Sequence, residues 1–580
     1  MSRAKIESMH TRPYIQWTRW LLGMILVLQS VLIGTIIITQ SVTFDETGHL
    51  AAGLAHWKHG DFSLYAVNPP LSRLVATLPA LPLTANFEFP AYNALPERRE
   101  ELRLGVLLST QVDKYHCMSV IARLTLLPVC WLGGFVCYAW AKDLYGLKAG
   151  FIALLLWCFS PNIQANASQV LPDLAVSSLF VTTCFLLRKR SLGDVKDSPI
   201  ITGLVMGAAL LCKFTAVLLV PVVLAIFCWR VARSDGKPMH LRMVRGIGKA
   251  VTIGSVSLLV INAGYFFEDT MLPLRKFEFL SESFSGIARS ENMKGNRFLH
   301  AWNAEIPVPL PRNYLLGIDL AKYELERGYW SYLNGEFSTT GWWYFYLYGL
   351  AVKEPVGLLA LLLIAGTSLI CCAAKREYRA DEILLVGIPV ILLGALSSAT
   401  GYTHHVRYAL PVLPFAYILA ARSVANPWLM KVQWALVFWF VASSVLCYPH
   451  QISYFNELAG GPSNGWKHLN TSNFDWGQDL LYLRDWVREN PEKKPIYVRS
   501  SGAVPPQVYG INCHEVAPEV SAEGVTFPAG WYAISVGEML KVESPVLPFL
   551  DRTPVERVAH TIFIYQVEST FAPNVVRHEE

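Results

Sequence analysis

Charge is what this sequence has least of. Only 16% of its 580 residues are charged, 53% are hydrophobic and the mean hydropathy is +0.34. That balance excludes an ordinary soluble enzyme and makes the bilayer the expected solvent. No His-Glu-x-x-His motif occurs, so no recognised zinc-protease signature is present. Of the 11 cysteines, most fall in apolar stretches and only Cys513 lies in the C-terminal tail, which excludes a disulfide framework. Internal repeats and low-complexity tracts are missing as well. The net charge of +5 gathers in short basic loops and gives no reason to expect nucleic-acid binding.

Long apolar runs are abundant. About eleven segments approach the roughly 20 residues that cross a hydrocarbon core, spread from Trp20 to Tyr448. The expected spans are 18–40, 119–140, 148–163, 168–187, 199–212, 215–233, 246–266, 342–373, 382–398, 406–423 and 428–448. The run 342–373 is too long for one crossing. Its aromatic start, from Trp342 to Tyr348, belongs in the interface, and a crossing begins near Glu354. Arg3, Lys5 and Arg12, the Arg188-Lys189-Arg190 turn, the stretch with Arg230, Arg233, Lys237, Arg242 and Arg245, and Lys375-Arg376 all fall on one face, which is therefore cytoplasmic. The intervening loops 162–169 and 397–405 contain no Lys or Arg. The first span reads as a signal anchor, because no small-residue cleavage site follows it. An odd number of spans puts the N-terminus inside and the tail outside.

The expected architecture is an all-α polytopic membrane bundle, residues 1–448, followed by a small α/β extracytoplasmic domain, residues 449–580. Outer loops span 41–118 and 268–341. In the tail, an amphipathic helix Asp479 to Glu489 is stopped by Asn490-Pro491, and Ile496 to Val498 and Thr561 to Val567 read as strands.

Candidate chemistry sits at the outer ends of these spans. Phe44-Asp45-Glu46-Thr47-Gly48-His49 follows the first span, and the weakly amphipathic run from Leu50, the Asn68-Pro69-Pro70-Leu71 turn and the apolar Leu74 to Leu83 return the loop towards the bilayer. Such a lid would hold Asp45 where partial desolvation suits a general base. Glu46 would position a partner or a metal. The competing reading is a solvated polar exit from a helix. Pro172-Asp173 opens the fourth span, where an acid is either functional or complements the helix dipole. Lys213 interrupts an apolar stretch and either snorkels or holds a phosphate. Gly401-Tyr402-Thr403-His404-His405-Val406-Arg407 puts an Arg and two His at the outer boundary, a better anion site than metal site. Glu46 with His49, His56 or His59 is a weak zinc spacing. The segment Asn473-Phe474-Asp475-Trp476-Gly477-Gln478 either caps the tail helix or recognises carbohydrate through Trp476.

The run Phe44-Asp45-Glu46, Gly60-Asp61 and Asn68-Pro69-Pro70-Leu71, with Pro172-Asp173 and Lys213-Phe214-Thr215, resembles the protein O-mannosyltransferases and lipid A aminoarabinose transferases, which are C-type glycosyltransferases. The resemblance covers roughly residues 20 to 430 in layout. It implies a polyprenyl-phosphate sugar donor, and a protein, lipid or glycan acceptor, met at the outer face of a membrane, preferably the bacterial inner membrane. The catalytic set it implies is Asp45, Glu46 and Asp173, with Asp45 as base. Lys213, Arg407 and His405 would take the donor phosphate, and His49, Asn68, Tyr402 and Trp476 are candidate substrate contacts. One departure is Asn68, where aminoarabinose transferases carry a basic residue, which puts lipid A as acceptor in question. No cofactor is required by the sequence, and a divalent metal stays open. The rival class is a transporter or flippase of lipid-linked saccharide, which calls for acids at mid-span rather than at span ends.

Overall fold

The computed structural model describes residues 3–92, 99–191, 198–233, 238–287, 293–375, 380–422, 427–517, 519–521 and 524–568. The chain is mostly helical and is an integral, multi-pass membrane protein. Among the described residues, six helices are long and apolar enough to cross a bilayer: Gln16–Thr39, Tyr115–Tyr145, Met239–Gly264, Val356–Ala374, Asp381–Ser398 and Pro427–Cys447. Pro161–Ala167 and Pro172–Arg188, bent by 117° at their junction, add a seventh if they form one broken span. Leu71–Thr84, Leu147–Phe159, Pro199–Cys212, Phe214–Cys228 and Val406–Ala420 are shorter apolar helices. The aromatic run before Val356–Ala374 folds as a separate helix, Phe345–Lys353, ended ahead of Pro355. The side chains of Arg3, Lys5, Arg12, Lys189, Arg190, Arg230, Arg233, Lys237 and Arg376, on which the topology expectation leans, lie outside the described residues.

Small residues set the closest helix contacts. Gly203 and Gly207, four residues apart on Pro199–Cys212, face Met239–Gly264. A Cβ on either would lie 2.7 Å from the Cβ of Val256 or Val260. Close approach of this kind replaces the hydrophobic drive that lipid cannot supply between helices.

The segment that follows the first long helix folds as a cap. Thr43 and Glu46 form a capping box at the start of Phe44–His59, and Gly60, in the left-handed conformation at φ 65°, ends that helix. From Glu46 to His56 the helix is buried throughout. It lies so close to Glu100–Gln111 that a Cβ on Gly105 would sit 2.3 Å from the Thr47 carbonyl. Trp57 Nε1 donates to the Leu74 carbonyl at 2.9 Å, which fastens the returning helix Leu71–Thr77 beneath.

Arg123 locks this cap to the first span. Its Nε and Nη2 donate to the two Glu46 carboxylate oxygens at 2.8 and 2.7 Å. Its remaining N–H groups reach the carbonyls of Ile37, Gln40 and Ser41 at 2.9–3.0 Å, so every guanidinium donor has an acceptor. Those carbonyls end the first helix, where no intrahelical donor remains for them. Glu46 also accepts from Val170 N at 2.8 Å, which ties in the break before Pro172.

The tail builds a five-stranded sheet in the order His514–Glu515, Ile496–Arg499, Gly530–Ser535, Ile562–Val567, Glu556–Val558. The first two pairings are parallel and the last two antiparallel. Helix Leu480–Glu489 covers one face through Leu480, Leu483 and Trp486, which share a buried cluster with Ile496, Val498 and Ile564. The segment ahead of this helix is stitched to the first loop: Ser41 N donates to Gln478 O at 2.9 Å and Phe44 N to Trp476 O at 3.1 Å. Gly477 makes this possible, since it has φ 82° and a Cβ there would lie 2.3 Å from Gly502 Cα.

Glu46→Gln leaves the buried Arg123 charge unmatched and should cost about 3–5 kcal/mol of stability. Burial by itself raises the Glu46 carboxyl, but Arg123 and the hydrogen bonds of Val170 and Thr43 win and hold it below the ordinary glutamate value. Its contribution is therefore present above the ordinary glutamate range and disappears as pH falls through the lowered value. Thermal unfolding of the detergent-purified protein should show a lower midpoint for Glu46→Gln at pH 7 and a smaller difference from wild type on acidification.

Candidate functional site

Where the cap, the break before Pro172, the Lys213 break and the tail segment meet, they enclose a cavity of about 390 Å³. Its wall includes Asp45, His49, Asn68, Asp173, Lys213, His405, Arg407 and Trp476. Each arrives by a local break in regular structure. Asp45 is the second residue of Phe44–His59, and Asp173 the second residue of Pro172–Ser191 after the bend. Lys213 is extended (φ −156°, ψ 141°) between Pro199–Cys212 and the 3₁₀ turn Phe214–Leu218. Arg407 sits in the 3₁₀ stretch Val406–Val412.

Two carboxylates and two cations are interleaved in the wall. Asp45 pairs with Arg407 at 2.7 Å and Asp173 with Lys213 at 2.5 Å, while Arg407 Nε lies 3.5 Å from Asp173. The Lys213 ammonium rests 3.8 Å from the Tyr408 ring centre, and the Arg407 guanidinium stacks 4.1 Å over Trp476. These contacts do not exhaust Arg407. Its Nε and Nη1 are shielded from solvent and have no hydrogen-bond partner among the described residues. Buried donors left unmade are costly and rare in folded proteins, so the site holds unspent capacity for an anion with several oxygens.

Several expected residues take other places. Glu46 does not reach the cavity; one residue along a helix turns the side chain by about 100°, and Arg123 holds this one on the opposite side. His405 is in the wall, but burial, Arg407 and His404 push its ring well below the ordinary histidine value, so it is neutral and supplies no charge to an anion. Its Nδ1 pairs with Ser472 Oγ at 2.6 Å. His49, neutral for the same kind of reason (burial, then Arg73), packs 4.6 Å from Tyr65. Asn68 lines the cavity and its carbonyl accepts from Arg73 at 2.8 Å. The Tyr402 side chain lies outside the described residues. Trp476 is only 6% exposed and its face is taken by Arg407, so it is not an open sugar platform. Asn473 and Gln478 bond backbone groups of the 404–406 and 474–476 segments. Among the described residues, no group of three or more His, Cys, Asp or Glu could hold a metal ion. Gly461-Pro462-Ser463-Asn464-Gly465 has the letters of a nucleophile elbow, but it forms the 3₁₀ turn Pro462–Lys467 rather than the strand-to-helix turn that motif needs.

Two residues that the sequence did not single out, Glu324 and Arg73, also matter, as does Asp475, which it offered only as a carbohydrate contact beside Trp476. Glu324, on helix Arg312–Arg327, lines the cavity and accepts no side-chain hydrogen bond among the described residues. Burial pushes its carboxyl up to about 7, with Glu101 and Asp45 acting in the same direction and Arg99 and Arg327 against it. Asp475 lines the same wall. It accepts from Gly537 N at 2.8 Å and Ser501 Oγ at 3.0 Å, and burial raises it to about 7. Arg73, 2% exposed, makes no ion pair among the described residues and donates to His56 Nε2 at 2.9 Å and to the Asn68 carbonyl.

Residues 120–247 match the family model described as dolichyl-phosphate-mannose-protein mannosyltransferase. The family resemblance read from the sequence is thereby borne out over that stretch. No curated protein matches the chain. Among solved structures, ArnT from Cupriavidus metallidurans bound to undecaprenyl phosphate is similar at 12% identity and a TM-score of 0.47, over 94% of this chain and 98% of that one. The apo state of the same protein gives 12% identity and a TM-score of 0.46, over 95% and 98%.

A raised carboxyl keeps its proton to higher pH and releases it on passing the shifted value. The protonated-carboxyl infrared band of the purified protein should therefore lose intensity as pH rises through about 7, and Glu324→Gln should remove part of that loss. An unchanged loss in the variant would show that Glu324 does not titrate across that range.

Proposed function

We propose that the chain is a membrane glycosyltransferase that moves a sugar from a polyprenyl-phosphate donor to a hydroxyl-bearing acceptor at the outer membrane face. The observation that carries this reading is Arg407, with two buried donors that have no hydrogen-bond partner among the described residues, beside Lys213 in a cavity bounded by apolar helix ends. A phosphate entering there would take Lys213 and Arg407 from Asp173 and Asp45. Charge-assisted, multidentate bonds to phosphate are among the stronger hydrogen bonds.

Displacement from Arg407 would leave Asp45 beside the reacting centre. In the reaction, the acceptor oxygen forms a bond to the sugar C1 as the C1–O(phosphate) bond breaks. The phosphate keeps that electron pair, and Asp45 takes the acceptor proton. The transfer is a single displacement with inversion. Asp173 would hold Lys213 in place between turnovers, and Glu46 would act only through the cap.

The match over residues 120–247 supports this class of donor. On this reading the six long helices, the bent pair and the short helices Leu147–Phe159, Pro199–Cys212, Phe214–Cys228 and Val406–Ala420 cross the membrane, with Leu71–Thr84 lying in the interface. Residues 1–448 then form the transferase bundle, with its N-terminus cytoplasmic, and 449–580 an extracytoplasmic domain of a bacterial inner-membrane enzyme.

Cells lacking the protein should accumulate a polyprenyl-phosphate sugar. Wild type should clear it, whereas Asp45→Asn should slow clearance by about 100-fold or more while remaining folded and inserted. Lys213→Ala should weaken binding of undecaprenyl phosphate to the purified protein by about ten- to a hundredfold. Near-normal transfer by purified Asp45→Asn would sink the assignment of the base, and undiminished binding by Lys213→Ala that of the phosphate site.

A further inference from the structure

A second cavity, of about 300 Å³, adjoins the first and shares His404, Thr471 and Lys541 with it. It lies between the tail and a β-hairpin of the second outer loop, Ser331–Leu333 with Glu336–Ser338. Asn334 and Gly335, at φ 51° and 90°, make the tight turn. Tyr332 and Phe337 sit directly opposite each other in the register, rings 5.3 Å apart, and Trp330 precedes the first strand with 53% of its surface exposed. All three aromatics line the cavity.

The opposite wall is polar. Asn470 is 3% exposed and donates through Nδ2 to Leu540 O at 3.1 Å, but its Oδ1 has no partner among the described residues. A buried acceptor left without a donor is uncommon enough to need a reason. Thr471, beside it, has φ 56°, a strained conformation for a β-branched residue, at the point where the two cavities meet.

We infer that this second cavity is the acceptor subsite and that it takes a saccharide. A sugar ring offers an apolar C–H face, which fits Trp330, Tyr332 and Phe337, and a rim of hydroxyls, one of which can donate to Asn470 Oδ1. The volume is at the lower end of the range for small-ligand sites, about 300–1,000 Å³. Among the described residues the wall carries Lys541, which pairs with Glu538 behind it, and no carboxylate, so neutral and anionic sugars are admitted. Continuity with the first cavity through Thr471 and Lys541 directs a bound hydroxyl towards Asp45. The inference rests on the first cavity being the transfer site, and it adds the class of acceptor.

The test is ligand-observed saturation-transfer NMR on the full chain in nanodiscs, with mannotetraose, maltotetraose, cellotetraose and chitotetraose as probes. Undecaprenyl phosphate binding is measured on the same samples. At least one tetrasaccharide should bind wild type and bind Trp330→Ala about tenfold more weakly, with undecaprenyl phosphate binding unchanged in the variant. The subsite is overturned if undecaprenyl phosphate binds but no tetrasaccharide does. It is equally overturned if Trp330→Ala and Phe337→Ala bind the sugars as well as wild type, or if only Ser/Thr-rich peptides occupy the cleft. Tetrasaccharide binding lost in Trp330→Ala, in a protein that fails to bind undecaprenyl phosphate, keeps the subsite and removes the donor assignment instead.

Discussion

Among the described residues the buried charge of Glu46 is neutralised by Arg123, and the geometry of the cap depends on that pair. Arg123 uses its other N–H groups to close the end of the first span, and Glu46 uses its spare valence on Val170, so one ion pair joins the first span, the cap and the break before Pro172. Because consecutive helical residues point about 100° apart, pinning Glu46 aims Asp45 into the cavity. A solvated ion pair could not do this, since exposed pairs contribute little and do not fix orientation.

The cavity beyond is a problem of charge in a poor solvent. Lys213 is buried and the Arg407 side chain is only 9% exposed, and neither would be tolerated without an anion nearby. Asp173 and Asp45 supply it. A lipid phosphate offers the same charge with more oxygens, enough to satisfy the Arg407 donors that Asp45 leaves unmet. On the proposed function, exchange of one anion for another would need no uncompensated intermediate, and it would couple donor binding to release of Asp45. The apolar helix ends around the cavity suit a polyprenyl tail, while the tail sheet and the hairpin close the aqueous side.

Asp45, Asp173, Lys213 and Arg407 were legible because each is a charge at the end of an apolar run, where solvation alone rarely explains it. Their convergence was not legible, as it requires the bend at Pro172, the break at Lys213 and the stitching of Ser41 and Phe44 to the tail. Glu46 could not be told from Asp45 without knowing where Arg123, 77 positions away, would lie. The charge state of His405 is a matter of burial, which sequence does not contain. Glu324 was hidden for the opposite reason. In Arg312–Arg327 it is one charge among many, and Glu326, two residues on, accepts from Glu282 N and Ser283 Oγ and pairs with Lys322 instead. The long spans and two of the five tail strands, Ile496–Arg499 and Ile562–Val567, follow from hydropathy and β-branched or aromatic runs, whereas the central strand Gly530–Ser535 does not and the short helices blur because length no longer separates a crossing from a buried segment.

The most direct test of the account is an experimental structure of the protein with undecaprenyl phosphate. The phosphate should lie between Lys213 and Arg407, with the Arg407–Asp45 contact opened and Asp45 facing the space next to the phosphate ester. A phosphate bound elsewhere, with the Asp45–Arg407 and Asp173–Lys213 pairs intact, would contradict it.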